Sequence, residues 1–189
     1  MTTSPVILAF AGSARRDSLN KKLIRAAAKM AGGLGATVTL ADLADYDAPL
    51  FNEDLEQASG MPEAMQRFKA LMMAADGFLI ATPEYNGFFP AVIKNTFDWC
   101  TRPAEGEAIM APTMGKRVGL MAASPGVLGG VRAIPRLRDC MAEYGIMAVS
   151  GFATVPKAKE AFDENGNLTA APAIKALSGV VERLVEEIK

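Results

Sequence analysis

Five short apolar runs alternate along the chain with stretches whose apolar residues recur every third or fourth position, the patterns of buried strand and amphipathic helix. Val6 to Ala11 is the first run, and it ends at Gly12-Ser13. Leu19, Leu23, Ala27 and Met30 then keep helical spacing until Gly32-Gly33 stops them. Ala36 to Ala41 reads as the second strand, followed by a polar loop from Asp42 to Ser59. Pro62 stands where the first turn of a helix accepts proline, and Met65, Phe68, Leu71 and Met72 give that helix an inner face. Gly77 to Thr82 is apolar without interruption, which predicts a central parallel strand buried on both faces. A loop from Pro83 to Phe89 leads into a helix with Pro90 at its start and Val92, Ile93, Phe97 and Cys100 on its apolar side. Pro103 to Gly115 reads as loop and Arg117 to Ala123 as strand four. Gly126 to Gly130 opens a helix carrying Ile134, Leu137 and Met141, with Gly145 as its C-cap, and Ile146 to Val149 begins strand five. An excursion from Ser150 to Leu168 contains the turn cluster Asp163–Asn167. Thr169 then stands where it can cap a last helix, with Ile174, Leu177, Val181, Leu184 and Ile188 facing inward.

Alternating strand and helix is the signature of a parallel sheet covered by helices on both faces. With five strands the expected fold is α/β and flavodoxin-like, a five-stranded parallel sheet in the order 2-1-3-4-5. No repeat, low-complexity tract or change of composition divides the chain, so residues 1–189 are expected to form one domain.

Half of the residues are hydrophobic, enough for a sizeable core. The formal net charge of −1 implies no basic face, which argues against a nucleic-acid partner. It implies no acidic field either, which argues against a carrier that docks on basic redox proteins. No run approaches the ~18 apolar residues of a membrane span. Met1 to Pro5 is short and polar, without a basic-then-apolar leader, so a cytoplasmic protein with no membrane insertion is expected. Cys100 and Cys140 lie far apart, with neither CxxC nor metal-type spacing, and read as buried reduced thiols. The chain has no histidine. That removes the commonest general base near neutral pH, the Ser-His and Cys-His nucleophile pairs and most zinc chemistry. An enzyme of this composition would leave the difficult step to a cofactor, so neither a catalytic side chain nor a metal site is expected.

In an open parallel sheet, ligands bind beyond the carboxyl ends of the strands where the strand order reverses. The three most unusual loops follow strands one, three and four, which meet at that place. Gly12-Ser-Ala-Arg-Arg-Asp-Ser-Leu-Asn20 offers Ser13, Ser18 and Asn20 as donors beside the free N–H groups of a helix start, with Arg15 for a charge-assisted contact. This suits a phosphate monoester; the same residues also suit plain capping by Ser18 with the arginines in solvent. Neither GxGxxG nor GxxxxGK[ST] is present. Thr82-Pro-Glu-Tyr-Asn-Gly87 offers Tyr85 as a flat wall and Asn86 as a donor and acceptor, as the edge of an isoalloxazine ring needs. A solvated turn with Tyr85 covering the core is the other reading. Ser124-Pro-Gly-Val-Leu-Gly-Gly130 carries glycines at 126, 129 and 130, which would let backbone N–H groups approach a ligand closely, or a helix start pack closely.

GSARRDSLN, TPEYNG and SPGVLGG, in this order, together with IKNTFDW (Ile93 to Trp99), resemble the NADPH-dependent FMN reductase family, which includes quinone, chromate and azo-dye reductases. The resemblance runs from about Val6 to the last helix. It implies FMN as cofactor and NAD(P)H as co-substrate, with hydride passed to the flavin N5 and then to a quinone, flavin, azo compound or metal oxyanion in ping-pong order. It implies that Ser13, Arg15, Ser18 and Asn20 hold the phosphate, with Leu19 also among the cofactor-binding residues, and that Pro83, Glu84, Tyr85, Asn86 and Gly87 border the ring. Ser124, Gly126, Gly129 and Gly130 would cover its pyrimidine end. Arg15 or Arg16 is available to the phosphates of the pyridine nucleotide. A homodimer or homotetramer is implied, with Trp99 either at the interface or in the core. The chain departs from the family pattern at Ala91 and at Phe88 and Phe89, where small or polar residues are common. Lys94, Asn95 and Asp98 match the family without an assigned chemistry. The competing reading is a flavodoxin-type electron carrier that does not oxidise NAD(P)H; a cofactor-free interaction protein would leave three ligand-competent loops idle.

Overall fold

The run VILAFA forms β1 (Val6–Ala11), and its side chains alternate between two cores. Ile7, Ala9 and Ala11 point to one face, where α1 (Leu19–Gly33) and α6 (Ala171–Glu187) pack with Leu23, Ala27, Leu177, Val181 and Leu184. Leu8 and Phe10 point to the other, against α3 (Glu63–Ala74), α4 (Ala91–Cys100) and α5 (Ala133–Glu143) through Phe68, Met72, Phe97, Leu137 and Met141. Helices on both faces leave no side of the strand to water, which is why the run is continuously apolar. The structure is a computed structural model that describes residues 4–189; Met1–Thr3, part of the polar start, lie outside the described residues.

β2 (Thr37–Asp42), β1, β3 (Gly77–Thr82) and β4 (Arg117–Ala123) pair in parallel in that order. The fifth position is divided. β5 (Met147–Ala148) pairs with Arg117 and Val118, and β6 (Ala153–Val155) pairs with Met121 to Ala123 farther along the same edge. The expected order 2-1-3-4-5 is therefore observed, with the last strand in two pieces. Arg183 Nε donates to the Ser150 carbonyl at 2.7 Å and Arg138 Nη2 to that of Gly151 at 3.1 Å, so helices from opposite faces hold the break. An interrupted edge strand offers little ladder for another chain to extend.

Three local expectations differ from the structure. The Asp42–Ser59 loop contains α2 (Glu53–Ser59), started by Asn52, whose side chain accepts from the Asp54 N–H at 2.8 Å. This helix buries no residue, so it carries no apolar period to read. α5 begins at Ala133, after a series of turns, rather than at the glycines. Thr169 does not cap α6: its hydroxyl donates to the Ala161 carbonyl at 3.2 Å, and Ala170 is the N-cap. Among the described residues no helix is long and apolar enough to cross a membrane.

Candidate functional site

The loop after β1 starts with Ser13, whose hydroxyl accepts from the Arg15 N–H at 3.3 Å. Ser18 is the N-cap of α1, and its Oγ accepts from the N–H groups of Asn20 and Lys21 at 3.2 and 3.4 Å. Leu19 opens α1 at the same end, so its N–H, in the first turn, has no intrahelical acceptor. Asn20 is 2% exposed. Its Nδ2 donates to the Ala123 carbonyl at 2.9 Å, and its Oδ1 accepts from the Ala123 N–H at 2.8 Å. One amide side chain thus ties the start of α1 to the end of β4, across 103 residues of sequence.

The loop after β3 closes as a tight two-residue turn. Tyr85 N–H donates to the Phe88 carbonyl at 2.8 Å and Phe88 N–H to that of Tyr85 at 3.0 Å. Asn86 and Gly87 between them have φ of 51° and 82°, the left-handed pair that an Asn-Gly sequence adopts at least cost. Tyr85 is left 55% exposed on the rim. Glu84 turns inward. Its Oε1 accepts from Arg132 Nε at 2.7 Å and its Oε2 from the Arg132 N–H at 3.1 Å, and Arg132 Nη2 forms an ion pair with the same carboxylate.

The loop after β4 is bound to the segment beyond β6. Ala158 N–H donates to the Ser124 carbonyl and Lys157 N–H to that of Gly126, both at 3.0 Å. Gly129 and Gly130 are buried with φ of 60° and 87°. A Cβ on Gly129 would stand 2.8 Å from Pro156 N, and one on Gly130 2.8 Å from the Ala122 Cβ. These two glycines are therefore required by the loop's own packing, whereas Gly126 is exposed, its N–H donating to Ser124 Oγ at 3.2 Å.

The three loops converge on one crevice of about 160 Å3, lined by Ser13, Arg15, Ser18, Leu19, Asn20, Pro83, Glu84, Tyr85 and Ser124, together with Ala123 and Pro125. Asn86, Gly87, Gly126, Gly129 and Gly130 lie in the same loops but outside its lining. A hydroxyl-rich helix start with one arginine suits an anion, and the exposed tyrosine beside it suits a planar group. A larger groove of about 860 Å3 runs along α3 past Lys69, Met73, Arg102 and Glu107, away from the three loops. Its lysine is bound by Glu107 and its arginine by Glu56, so the space offers no free cation.

Arg132 is the site residue that the sequence did not single out. Its pairing with Glu84 joins positions 48 residues apart, and no local spacing announces it. IKNTFDW is accounted for by packing. Asn95 Oδ1 accepts from the Phe51 N–H at 2.8 Å, and Asn95 Nδ2 and Trp99 Nε1 donate to the Pro49 carbonyl at 2.9 and 2.8 Å. Lys94 pairs with Asp98 at 2.5 Å.

Residues 5–160 match the sequence model of the family described as NADPH-dependent FMN reductase. An NAD(P)H-dependent FMN reductase of Pseudomonas aeruginosa is 35% identical over 86% of this chain and 83% of its own length. A 2-hydroxy-1,4-benzoquinone reductase from Burkholderia is 34% identical over 91% of this chain and 90% of its own length. Among solved structures, a flavoenzyme NAD(P)H:(acceptor) oxidoreductase of Paracoccus denitrificans superposes with a TM-score of 0.81 at 32% identity, covering 97% of each chain.

Proposed function

The chain belongs to the NADPH-dependent FMN reductase family, and from that premise we propose that it is an FMN-dependent oxidoreductase that takes electrons from NAD(P)H and delivers them to a small acceptor in two separate half-reactions. The observation that carries this reading is the meeting of three distant loops in one crevice. Ser13, Arg15, Ser18 and the Leu19 N–H are the groups to hold the phosphate, the helix dipole adding to their charge and hydroxyl contacts, while Asn20, committed to Ala123, fixes the helix start that carries them. A space of about 160 Å3 is smaller than the ~300 Å3 or more of a typical whole-ligand pocket. It suits the phosphate end, which leaves the rim for the ring. There Pro83, Glu84, Tyr85, Asn86 and Gly87 border the ring. Ser124 and Gly126, on a loop shaped by Gly129 and Gly130, cover its pyrimidine end.

When bound, FMN supplies the redox chemistry: hydride acceptance from the nicotinamide at N5 and its transfer to the acceptor. The chain's part is to orient the reactants, exclude water and shape the electrostatics. No side chain is required to move a proton, which agrees with a chain that has no histidine. A relative named for benzoquinone reduction makes quinones the first acceptors to test, ahead of flavins, azo compounds and metal oxyanions. The reading extends to a single FMN-binding domain over residues 1–189, acting in the cytoplasm as a homodimer or homotetramer without a nucleic-acid partner.

Anaerobic stopped-flow mixing of FMN-loaded protein with NADPH or NADH tests the reading. The flavin absorbance is expected to bleach and to return when 1,4-benzoquinone is added. Bound FMN that stays oxidised in both nucleotides would favour an electron carrier, and purified protein that takes up no FMN would remove the cofactor altogether.

A further inference from the structure

We propose that Glu84 and Arg132 are a positioning pair that joins the second and third loops into one body and balances the charge beside the flavin ring. The inference rests on the FMN reading above and goes beyond it. The Glu84 side chain is 8% exposed and lines the crevice. A carboxylate that buried costs several kcal/mol unless it is paired and hydrogen-bonded. Among the described residues Arg132 alone meets that need, through Nε, Nη2 and its backbone N–H. The N–H contact also sets the carboxylate at the N-terminal end of α5, where the helix dipole favours negative charge.

The same helix grips the far end of the turn. Arg136 Nη1 donates to the Arg132 carbonyl at 2.6 Å, and its guanidinium lies 5.1 Å from the centre of the Phe88 ring. Tyr85, Asn86 and Gly87 sit between these two holds. Gly129 and Gly130 precede Arg132 with only Val131 between. The turn carrying Tyr85 and the loop carrying Ser124 therefore cannot shift independently.

The pair also has an electrostatic consequence. Reduction makes the flavin more negative, so a bare carboxylate beside it opposes reduction and a cation favours it. Removing Arg132's charge and removing Glu84's charge must then move the flavin potential in opposite directions. A purely structural brace would loosen alike whichever partner was removed.

The test compares the wild-type protein with E84Q, R132Q, R132K and the E84Q/R132Q double variant. The readouts are the FMN dissociation constant, from fluorescence quenching, and the midpoint potential, from anaerobic dye-coupled titration. R132Q is expected to lower the potential and to weaken FMN about tenfold or more. E84Q is expected to raise the potential, R132K to stay near wild type, and the double variant to return towards it. If R132Q does not fold, E84Q and R132K still decide the sign. Potentials that move the same way in E84Q and R132Q, or that do not move in E84Q, would overturn the pair's role. Wild-type protein that takes up no FMN would instead overturn the cofactor reading, and that result is read before any substitution is made.

Discussion

Glycines that look alike in SPGVLGG have different physical reasons to be glycine. Gly130 combines a φ of 87° with a missing Cβ that would meet Ala122 at 2.8 Å. A Cβ on Gly126 would have Ser124 Oγ as its nearest neighbour, at an ordinary 3.6 Å. Gly130→Ala is expected to cost about 2–4 kcal/mol of stability through strain and overpacking, and Gly126→Ala within about 0.5 kcal/mol. Urea unfolding of the two variants checks the contrast. Burial also separates the thiols from their ordinary behaviour. It pushes the Cys100 thiol from 9.0 up to about 12 and moves Cys140 and Tyr144 upward as well. Over that range the native state holds protons that the unfolded chain has released, so stability falls as pH rises above about 9. Lys116, lowered by burial, works in the opposite direction. The urea midpoint is expected to decline between about pH 9 and 11, with a shallower slope in Cys100→Ala; a flat profile would contradict this.

Helix α1 links capping to ligand binding. Ser18 caps it, and Asn20 two residues on is locked to Ala123, so the helix start cannot move without β4. Ser18→Ala is expected to cost about 1 kcal/mol of stability and to raise the FMN dissociation constant, measured by fluorescence titration. An FMN affinity left at wild type would assign Ser18 to capping alone. α1 was legible because Leu23 and Ala27 lie on a buried face while its lysines and arginine do not share it, apart from Lys21, which is drawn to Asp42 at 2.6 Å. α2 was not legible, since a helix held by its cap and by charge contacts has no apolar face. The divided fifth strand escaped for a related reason. Arg138 and Arg183 hold the break through backbone carbonyls, and a carbonyl leaves no mark on residue type.

Taken as a whole, the molecule spends its only tryptophan on its own interior. Trp99 is 0% exposed, meets Phe51 edge-on at 5.0 Å between ring centres and donates to Pro49. This favours the core reading of Trp99 over the interface reading. If the protein assembles as proposed, light scattering will give two or four subunits per particle. Trp99 emission should then be that of a buried indole and stay unchanged on dilution through subunit dissociation. A red shift on dilution would show that assembly shields the ring.

The period of the apolar positions was enough to read the layered α/β architecture and the loops that carry the polar groups, because burial on one or two faces writes directly into which positions are apolar; the strand order came from the rules of doubly wound folds. Ser18 as a helix cap, and a turn after Thr82, were each legible in the same local way as one of two readings of their loop. What folding alone settled is which side chains spend their polar atoms on each other. Asn20 could face a ligand or Ala123, Glu84 could face solvent or Arg132, and Gly130 could admit a ligand or Ala122. Each choice depends on atoms brought within about 3 Å from distant parts of the chain, and a hydrogen bond or a steric contact of that range has no period in sequence.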